Sequence, residues 1–393
     1  MAFYGHSEHF VLFVSKEAKV TNNYRICTRC IMDTTDPDIE FDKNGICNHC
    51  REYDERANKE LYLDEGGQQK LNSIVNEIKE SGKNKEYDCL IGLSGGADST
   101  MALYTIKKLG LRPLAVHLDN GWNTELSVRN IDKAVKKLNV DLYKSVLDWE
   151  EFKDLHLSFL KSSIANAEIP TDHAIVAFLY HTASEKGIKY IISGGNIVTE
   201  AIMPDSWMYD PKDLRLIKSI HTKYGKIKLK SFPTLNLFGW IFYTFVKRIK
   251  YLPVLNYIPY VKKDVMRLLE KEFDWKPYGH KHFESIYTRF FQGYILPRKF
   301  NIDKRKAHLS TLICSGQMTR EEALKEMKGD VYPEKDMHED KECVLKKYSL
   351  TEEEFEKIMS GPIKTFKDYP NNSFLLEKLK FFVEIARKMA TRN

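Results

Sequence analysis

Residues Tyr87–Met101 read YDCLIGLSGGADSTM, and this stretch decides the fold. Cys89-Leu90-Ile91-Gly92-Leu93 is an apolar run with the length and character of a strand buried on both faces of a parallel sheet. Ser94-Gly95-Gly96 predicts a tight turn, because two successive glycines permit backbone conformations that a side chain would exclude. Asp98 and Ser99 open a helix that runs through Met101, Ala102, Leu103 and Ile106 to about Leu109. Strand, glycine turn and helix start in that order make an anion site. Backbone N–H groups and the positive end of the helix converge there on one point.

The residue before the serine narrows the anion. A Walker-type loop requires a lysine directly before its Ser or Thr; Asp98 stands in that place. A carboxylate beside a phosphate cradle fits a Mg²⁺ ion that bridges to the phosphates. The stretch resembles the Ser-Gly-Gly-x-Asp-Ser pyrophosphate loop of the PP-loop ATP pyrophosphatases (HUP-like), a group that includes NAD synthetase, GMP synthetase and tRNA thiolases. That resemblance implies ATP cleaved between its α- and β-phosphates, with AMP passed to a carbonyl oxygen. It points to Leu93, Ser94, Gly95, Gly96, Asp98 and Ser99 as the ATP and pyrophosphate cradle. His117, Leu118 and Asp119 from the next strand and Gly194 from a later one join them.

Outward from the loop, apolar runs alternate with helical periodicity. Leu114–Leu118, Asp141–Leu147 and Lys189–Ser193 read as strands; Val128–Leu138, Glu151–Ile164 and Ala174–Lys186 read as helices. This order predicts an α/β fold, a doubly wound parallel sheet with its site outside the strand C-termini. NAD synthetases have a strand-end glycine followed six residues later by a Glu that shares Mg²⁺ with the loop Asp. Gly194 and Glu200 have that spacing, which pairs Glu200 with Asp98; a first-turn acid favoured by the helix dipole is the plainer alternative. Pro170-Thr171-Asp172-His173 is a helix start near the same edge, and Asp172 or His173 is a candidate substrate contact or base.

Upstream, Cys27-Thr28-Arg29-Cys30 is followed after sixteen residues by Cys47-Asn48-His49-Cys50. Two such pairs supply four thiolates for a tetrahedral Zn²⁺, and with all four positions closed the metal is structural. A redox pair or an iron–sulfur cluster is the lesser alternative. His49 reads as a solvent-facing bystander. The chain holds only seven cysteines, which favours a cytosolic metal site over a disulfide framework. A net charge of +6 over 393 residues suits an anionic small substrate as well as nucleic acid and excludes neither. No signal peptide is evident, so the expected location is cytoplasmic.

The texture changes at FPTLNLFGWIFYTFVKRIKYLPVLNYIPY, Phe232–Tyr260. Its aromatic core, Leu235–Val246, is too short to span a bilayer. A lid or partner dock is the first reading. Peripheral contact with the inner face of the membrane, with Trp240, Phe242 and Phe245 dipping, is the second. Beyond it, Lys281, His282, Arg289, Lys299 and Arg305 are candidate substrate ligands for a phosphate or carboxylate, while Lys304 and Lys306 read as a solvated helix face. Thr351-Glu352-Glu353-Glu354 is a capping box that starts a C-terminal helix. The expected organisation is a leader (1–23), a zinc module (24–60), a PP-loop domain (61–230), the aromatic segment (231–262) and a mainly helical substrate-binding region (263–393).

The two cysteine pairs, GLSGGADS, VHLDNGW and KFNIDKRKAHLSTLICSG together resemble the N-acetyl sugar amidotransferases of bacterial surface-polysaccharide (O-antigen) biosynthesis. The resemblance runs from about Arg25 onward. It implies an ATP-dependent enzyme that adenylates an acetamido group of a nucleotide-linked sugar, a UDP-diacetamido uronic acid being the expected type. Ammonia then displaces AMP to leave an acetamidino group. ATP, Mg²⁺ on Asp98 and Glu200, and structural Zn²⁺ are the implied cofactors. The chain shows no glutaminase motif, and the resemblance implies ammonia from a separate HisH-like glutaminase, often with a HisF-like cyclase-type subunit. A PP-loop tRNA thiolase shares the adenylation step and is the alternative. It needs catalytic cysteines in the ATP domain, and after Cys50 only Cys89, Cys314 and Cys343 remain, all isolated.

Overall fold

The computed structural model describes residues 24–278, 283–331, 333–375 and 378. The expected leader, Lys281 and His282 lie outside the described residues. Five strands, β1 (Cys89–Gly92), β2 (Pro113–Asp119), β3 (Leu142–Val146), β4 (Tyr190–Ser193) and β5 (Lys250–Pro253), form one sheet in the order β3-β2-β1-β4-β5. Every pairing is parallel. β1 therefore sits at the centre, and the chain leaves it first to one side and later to the other. Crevices at such a reversal open outside the strand C-termini.

The three inner strands, β2, β1 and β4, are buried on both faces because both faces are covered, while the edge strand β3 is largely exposed. Leu90, Leu114, Val116 and Ile191 point into one core, while Cys89, Ile91, Ala115 and Ile192 point into the other. In the second core they meet Leu71 and Ile78 of α2 (Glu65–Ser81), Ala102 and Ile106 of α3 (Ala97–Lys108) and Ile131 of α4 (Glu125–Leu138). In the first they meet Phe152 and Phe159 of α5 (Trp149–Ser162) and Ala174 and Ala177 of α6 (Ile169–Glu185). That core also takes in the N-terminal cysteines, whose module ends in α1 (Asn48–Glu60), and the C-terminal helices. Polar starts fix the helix ends: Asp64 accepts from the Gly67 N–H, Thr124 from Ser127 and Asp148 from Glu151. The capping box of Thr351 and Glu354 forms.

β5 is the element the sequence pattern did not suggest. It lies inside the aromatic stretch, where period-2 alternation is absent, and its pairing with β4 decides its state. Leu252, Val254, Leu255 and Tyr257 are core residues. Only the turn of α-helix Leu237–Ile241 and the π-helical turn Phe242–Val246 stand out, with Phe238 77% and Phe245 59% exposed. Among the described residues no helix is long and apolar enough to cross a membrane.

Candidate active site

A cavity of about 200 Å³ opens where β1, β2 and β4 end. Its floor is the loop after β1. The loop is prefolded by its own serines: the Ser94 N–H donates to Ser99 Oγ (3.3 Å), the Gly96 N–H to Ser94 Oγ (3.3 Å), and Ser99 Oγ to Gly96 O (3.2 Å). Gly95 has φ +84°, and a Cβ there would meet Ser127 O at 2.6 Å; its carbonyl accepts from Trp275 Nε1 (2.9 Å) and from the Tyr278 hydroxyl (2.5 Å). Gly194, after β4, lies so close to α3 that a Cβ would sit 2.7 Å from Asp98 C and Ser99 N. Glycine is required at both places by backbone approach, which is why these two strand ends can share one crevice.

Asp98 and Glu200 both line the cavity. The Tyr260 hydroxyl donates to Asp98. Burial, then Asp98, then Glu200 drive the Tyr260 phenol well above its ordinary range, so both carboxylates act on one hydroxyl. Glu200 ends the short turn Ile197–Glu200, which Asn196 caps by accepting from the Thr199 N–H. Two carboxylates facing one space beside a glycine loop and a helix start are a donor set that suits Mg²⁺. His117 also lines the cavity, with Nδ1 donating to Leu93 O (2.8 Å) and Nε2 accepting from the Asn123 amide (3.1 Å). Burial holds it below its ordinary pKa, so it is a neutral strut under the loop. Asp119 turns to Gly121 N and Asn123 Nδ2 instead. Neither it nor Gly95 is part of the lining.

The opposite wall comes from α6 and from the C-terminal region. Glu168 precedes α6 and Asp172 lies one turn on, so both face the cavity. Burial, then the charge of Glu168, raises Asp172 to about 7, and Lys304 opposes the shift. Glu168 accepts from the Thr288 hydroxyl (2.5 Å) and Gln292 Nε2 (3.2 Å). Lys304 and His308 complete the wall.

Several sequence-predicted residues are placed elsewhere. His173 is in the core: Nδ1 donates to Pro211 O (2.6 Å), Nε2 accepts from the Leu235 N–H (3.1 Å), and burial lowers it to about 4. With both nitrogens committed to backbone it holds a loop and serves no substrate. Arg289 makes a two-pronged pair with Asp340 (2.6 and 2.7 Å). Lys299 ties down the carbonyls of Ile358, Met359 and Gly361. Arg305 is held by Asp303 and Gly329 O. These three cations brace the C-terminal helices. Conversely, Lys304 is not solvated but buried in the cavity wall, and Lys306 pairs with Asp33 (2.5 Å). The segment's density in cations was visible in sequence; helix phase and the neighbouring helices decided which one faces inward. Lys304 and His308, four residues apart, share that face.

Away from the cavity, Cys27, Cys30, Cys47 and Cys50 bring their Sγ atoms within 4.8 Å of one another. Separations of 3.6 Å (Cys30–Cys47), 3.7 Å (Cys47–Cys50) and 3.8 Å (Cys27–Cys50) match the edge of about 3.8 Å for a tetrahedron with Zn–S near 2.3 Å. N–H groups of Arg29, Cys30 and Cys47 point at Cys27 Sγ. The donor set fits Zn²⁺. His49 is buried rather than solvent-facing, and its Nε2 meets Asp36 at 2.7 Å. The module is clasped from the C-terminal side: Arg320 donates to the carbonyls of Cys27 and Cys30, and Ser310 Oγ accepts from the Ile31 N–H.

Residues 284–384 match the family model described as the C-terminal domain of the WbpG-like lipopolysaccharide biosynthesis proteins. An uncharacterized protein of Methanocaldococcus jannaschii is 32% identical over 135 residues, 32% of this chain. The chain spans 45% of the length of that curated relative. Among solved structures, NMN synthetase from Francisella tularensis is similar over 77% of this chain and 99% of its own (15% identity, TM-score 0.31). NH₃-dependent NAD synthetase from Campylobacter jejuni is similar over 75% and 98% (16% identity, TM-score 0.29).

Proposed function

We propose that this protein, which carries a C-terminal domain of the WbpG-like lipopolysaccharide biosynthesis type, is an ATP-dependent amidotransferase acting on the acetamido group of a nucleotide-linked sugar. The strongest support is the make-up of the cavity wall. The pyrophosphate loop, Asp98 and Glu200 form one side, and Ser285, Thr288, Gln292, Lys304 and His308, all from the matched domain, form the other. An ATP-activating end and a polysaccharide-family end thus share one space.

The chemistry is consistent with that division. An amide carbonyl is a weak electrophile and its oxygen a poor leaving group. Attack of that oxygen on the α-phosphorus releases pyrophosphate and leaves an O-adenylated imidate; ammonia adds at carbon, and AMP departs to give the amidine. Asp98 and Glu200 would hold Mg²⁺, which supplies charge neutralisation for the leaving pyrophosphate. The N–H groups of the loop and the start of α3 orient the phosphates. Asp172, near neutrality and on the acceptor side, is the base for the proton lost by the attacking nitrogen. Ammonia comes from a separate glutaminase. Among the described residues no cysteine lines the cavity, which counts against sulfur transfer.

The test is mass spectrometry of UDP-linked diacetamido uronic acids incubated with protein, ATP, Mg²⁺ and ammonium. A product in which oxygen is replaced by NH, formed together with AMP, is the expected result. AMP released only in the presence of tRNA would reject the proposal.

A further inference from the structure

Lys304 is the first residue of α7, the C-terminal helix Lys304–Cys314, behind the N-cap Asp303. A cation is disfavoured there, since the exposed N–H groups of a helix start already carry positive partial charge. It is also only 8% exposed. Among the described residues its ammonium has no hydrogen bond and no ion pair within 4 Å. Its near neighbours in sequence are all engaged, Arg305 with Asp303 and Lys306 with Asp33. Asp172 and Glu168 line the same wall, the latter already accepting from Thr288 and Gln292. Asp172 is close enough for Lys304 to oppose its shift, and neither carboxylate comes within 4 Å of the ammonium.

A buried ammonium without a close partner is an unfavourable arrangement that folding alone would not keep. It becomes favourable once an anion enters the cavity, where the helix start reinforces the attraction. We propose that Lys304 is the binding residue for an anionic oxygen of the acceptor substrate. This deepens the functional reading above and rests on it for the word acceptor. Two parts of such an acceptor carry that oxygen: a carboxylate on the sugar and the diphosphate that joins it to the nucleoside.

Titration calorimetry of the full chain and of Lys304→Met separates them. The ligands are UDP-N-acetylglucosaminuronic acid, neutral UDP-N-acetylglucosamine and α,β-methylene-ATP. Loss of one charge-assisted contact should weaken binding about tenfold or more. A loss confined to the uronic acid assigns the carboxylate. An equal loss for both sugar nucleotides assigns the diphosphate. A loss for the ATP analogue alone, no loss at all, or no binding of either sugar nucleotide to the unsubstituted protein overturns the proposal. The ligand-free variant should melt about 2 °C or more above the parent, because an unpaired charge has been replaced by an isostere. A lower melting point with all affinities reduced would make Lys304 a structural ion and overturn the proposal as well. Lys304→Gln, still polar, repeats the comparison if the Met variant aggregates. Binding, not AMP release, is read, so failure of the adenylation chemistry would leave this result standing.

Discussion

At the scale of single residues, Asp98 separates chemistry from packing. Asp98→Ala removes the proposed metal ligand and also the acceptor of the Tyr260 hydroxyl. It should abolish AMP formation and cost about 1–3 kcal/mol of stability in chemical denaturation, the usual price of an orphaned buried donor. Asp98→Asn keeps an oxygen for Tyr260 and should lose activity with little change in stability; AMP release at the parental rate by either folded variant would reject the metal role. Asp172 and His173 are adjacent and titrate in opposite senses. The raised pKa of Asp172, about 7, contributes stability below the unfolded value near 4 that is lost as pH rises through 7. As a base Asp172 must be ionised, so activity should climb through the same range, and Asp172→Asn should flatten the climb. His173, lowered to about 4, contributes stability that is present above 6.5 and lost as pH falls towards 4. The shift corresponds to about 3 kcal/mol. Between pH 7 and 4.5 the two contributions run in opposite directions, that of Asp172 gained and that of His173 lost as pH falls. Denaturation midpoints of His173→Phe should therefore rise more steeply on acidification than those of the parent, with stability lower at neutral pH, since Pro211 O and the Leu235 N–H lose their partner.

At the scale of elements, the site depends on how closely β4 approaches α3. Gly194→Ala places a methyl 2.7 Å from the backbone of Asp98 and Ser99. It should push loop and strand apart, cost about 1–3 kcal/mol and reduce affinity for α,β-methylene-ATP. Gly316→Ala is the control. Its φ is +72° with nothing within 4 Å of the added carbon, so it should cost about 1–2 kcal/mol of backbone strain and leave nucleotide affinity unchanged. If the two variants bind the analogue equally well, close packing at Gly194 is not what shapes the cradle.

At the scale of the molecule, one helix touches both the four-cysteine module and the cavity. Arg320, Ser310, Lys306 and Cys314 reach the module from α7 and just beyond it; Cys314 Sγ lies 3.6 Å from Cys50 Sγ. The same helix presents Lys304 to the cavity. Cys27→Ser or Cys50→Ser should therefore lose zinc by elemental analysis, lower the melting temperature and weaken sugar-nucleotide binding, because closed zinc sites contribute folding free energy. A zinc-free variant with parental melting and binding would refute the linkage. The exposed turn at residues 238–246 lies in the stretch read from sequence as a lid or partner dock, and docking of the separate glutaminase there is testable. Trp240 packs against the core beneath Lys212, so Phe238→Asp and Phe245→Asp are the informative changes. They should weaken glutamine-driven turnover with the partner present and spare the ammonium-driven reaction; equal loss of both would exclude docking there.

The parallel sheet, the loop with Asp98 at its end and the four-cysteine cluster were legible in the residues alone. Each is specified by residues close in the chain, whose backbone or ligand geometry leaves few alternatives: an apolar run between turns, paired glycines before a helix, thiols on two tight knuckles. The rest follows from packing between distant parts of the chain. β5 carries no alternating pattern and exists because β4 offers it an edge. Lys299, Lys304, Arg305 and Lys306 look alike in sequence, yet one faces the cavity and three are held by carbonyls or carboxylates of other elements. The direction of a side chain around a helix is fixed locally, but what stands opposite it is set by packing over long sequence distances, and that opposite partner makes a lysine a strut or a ligand.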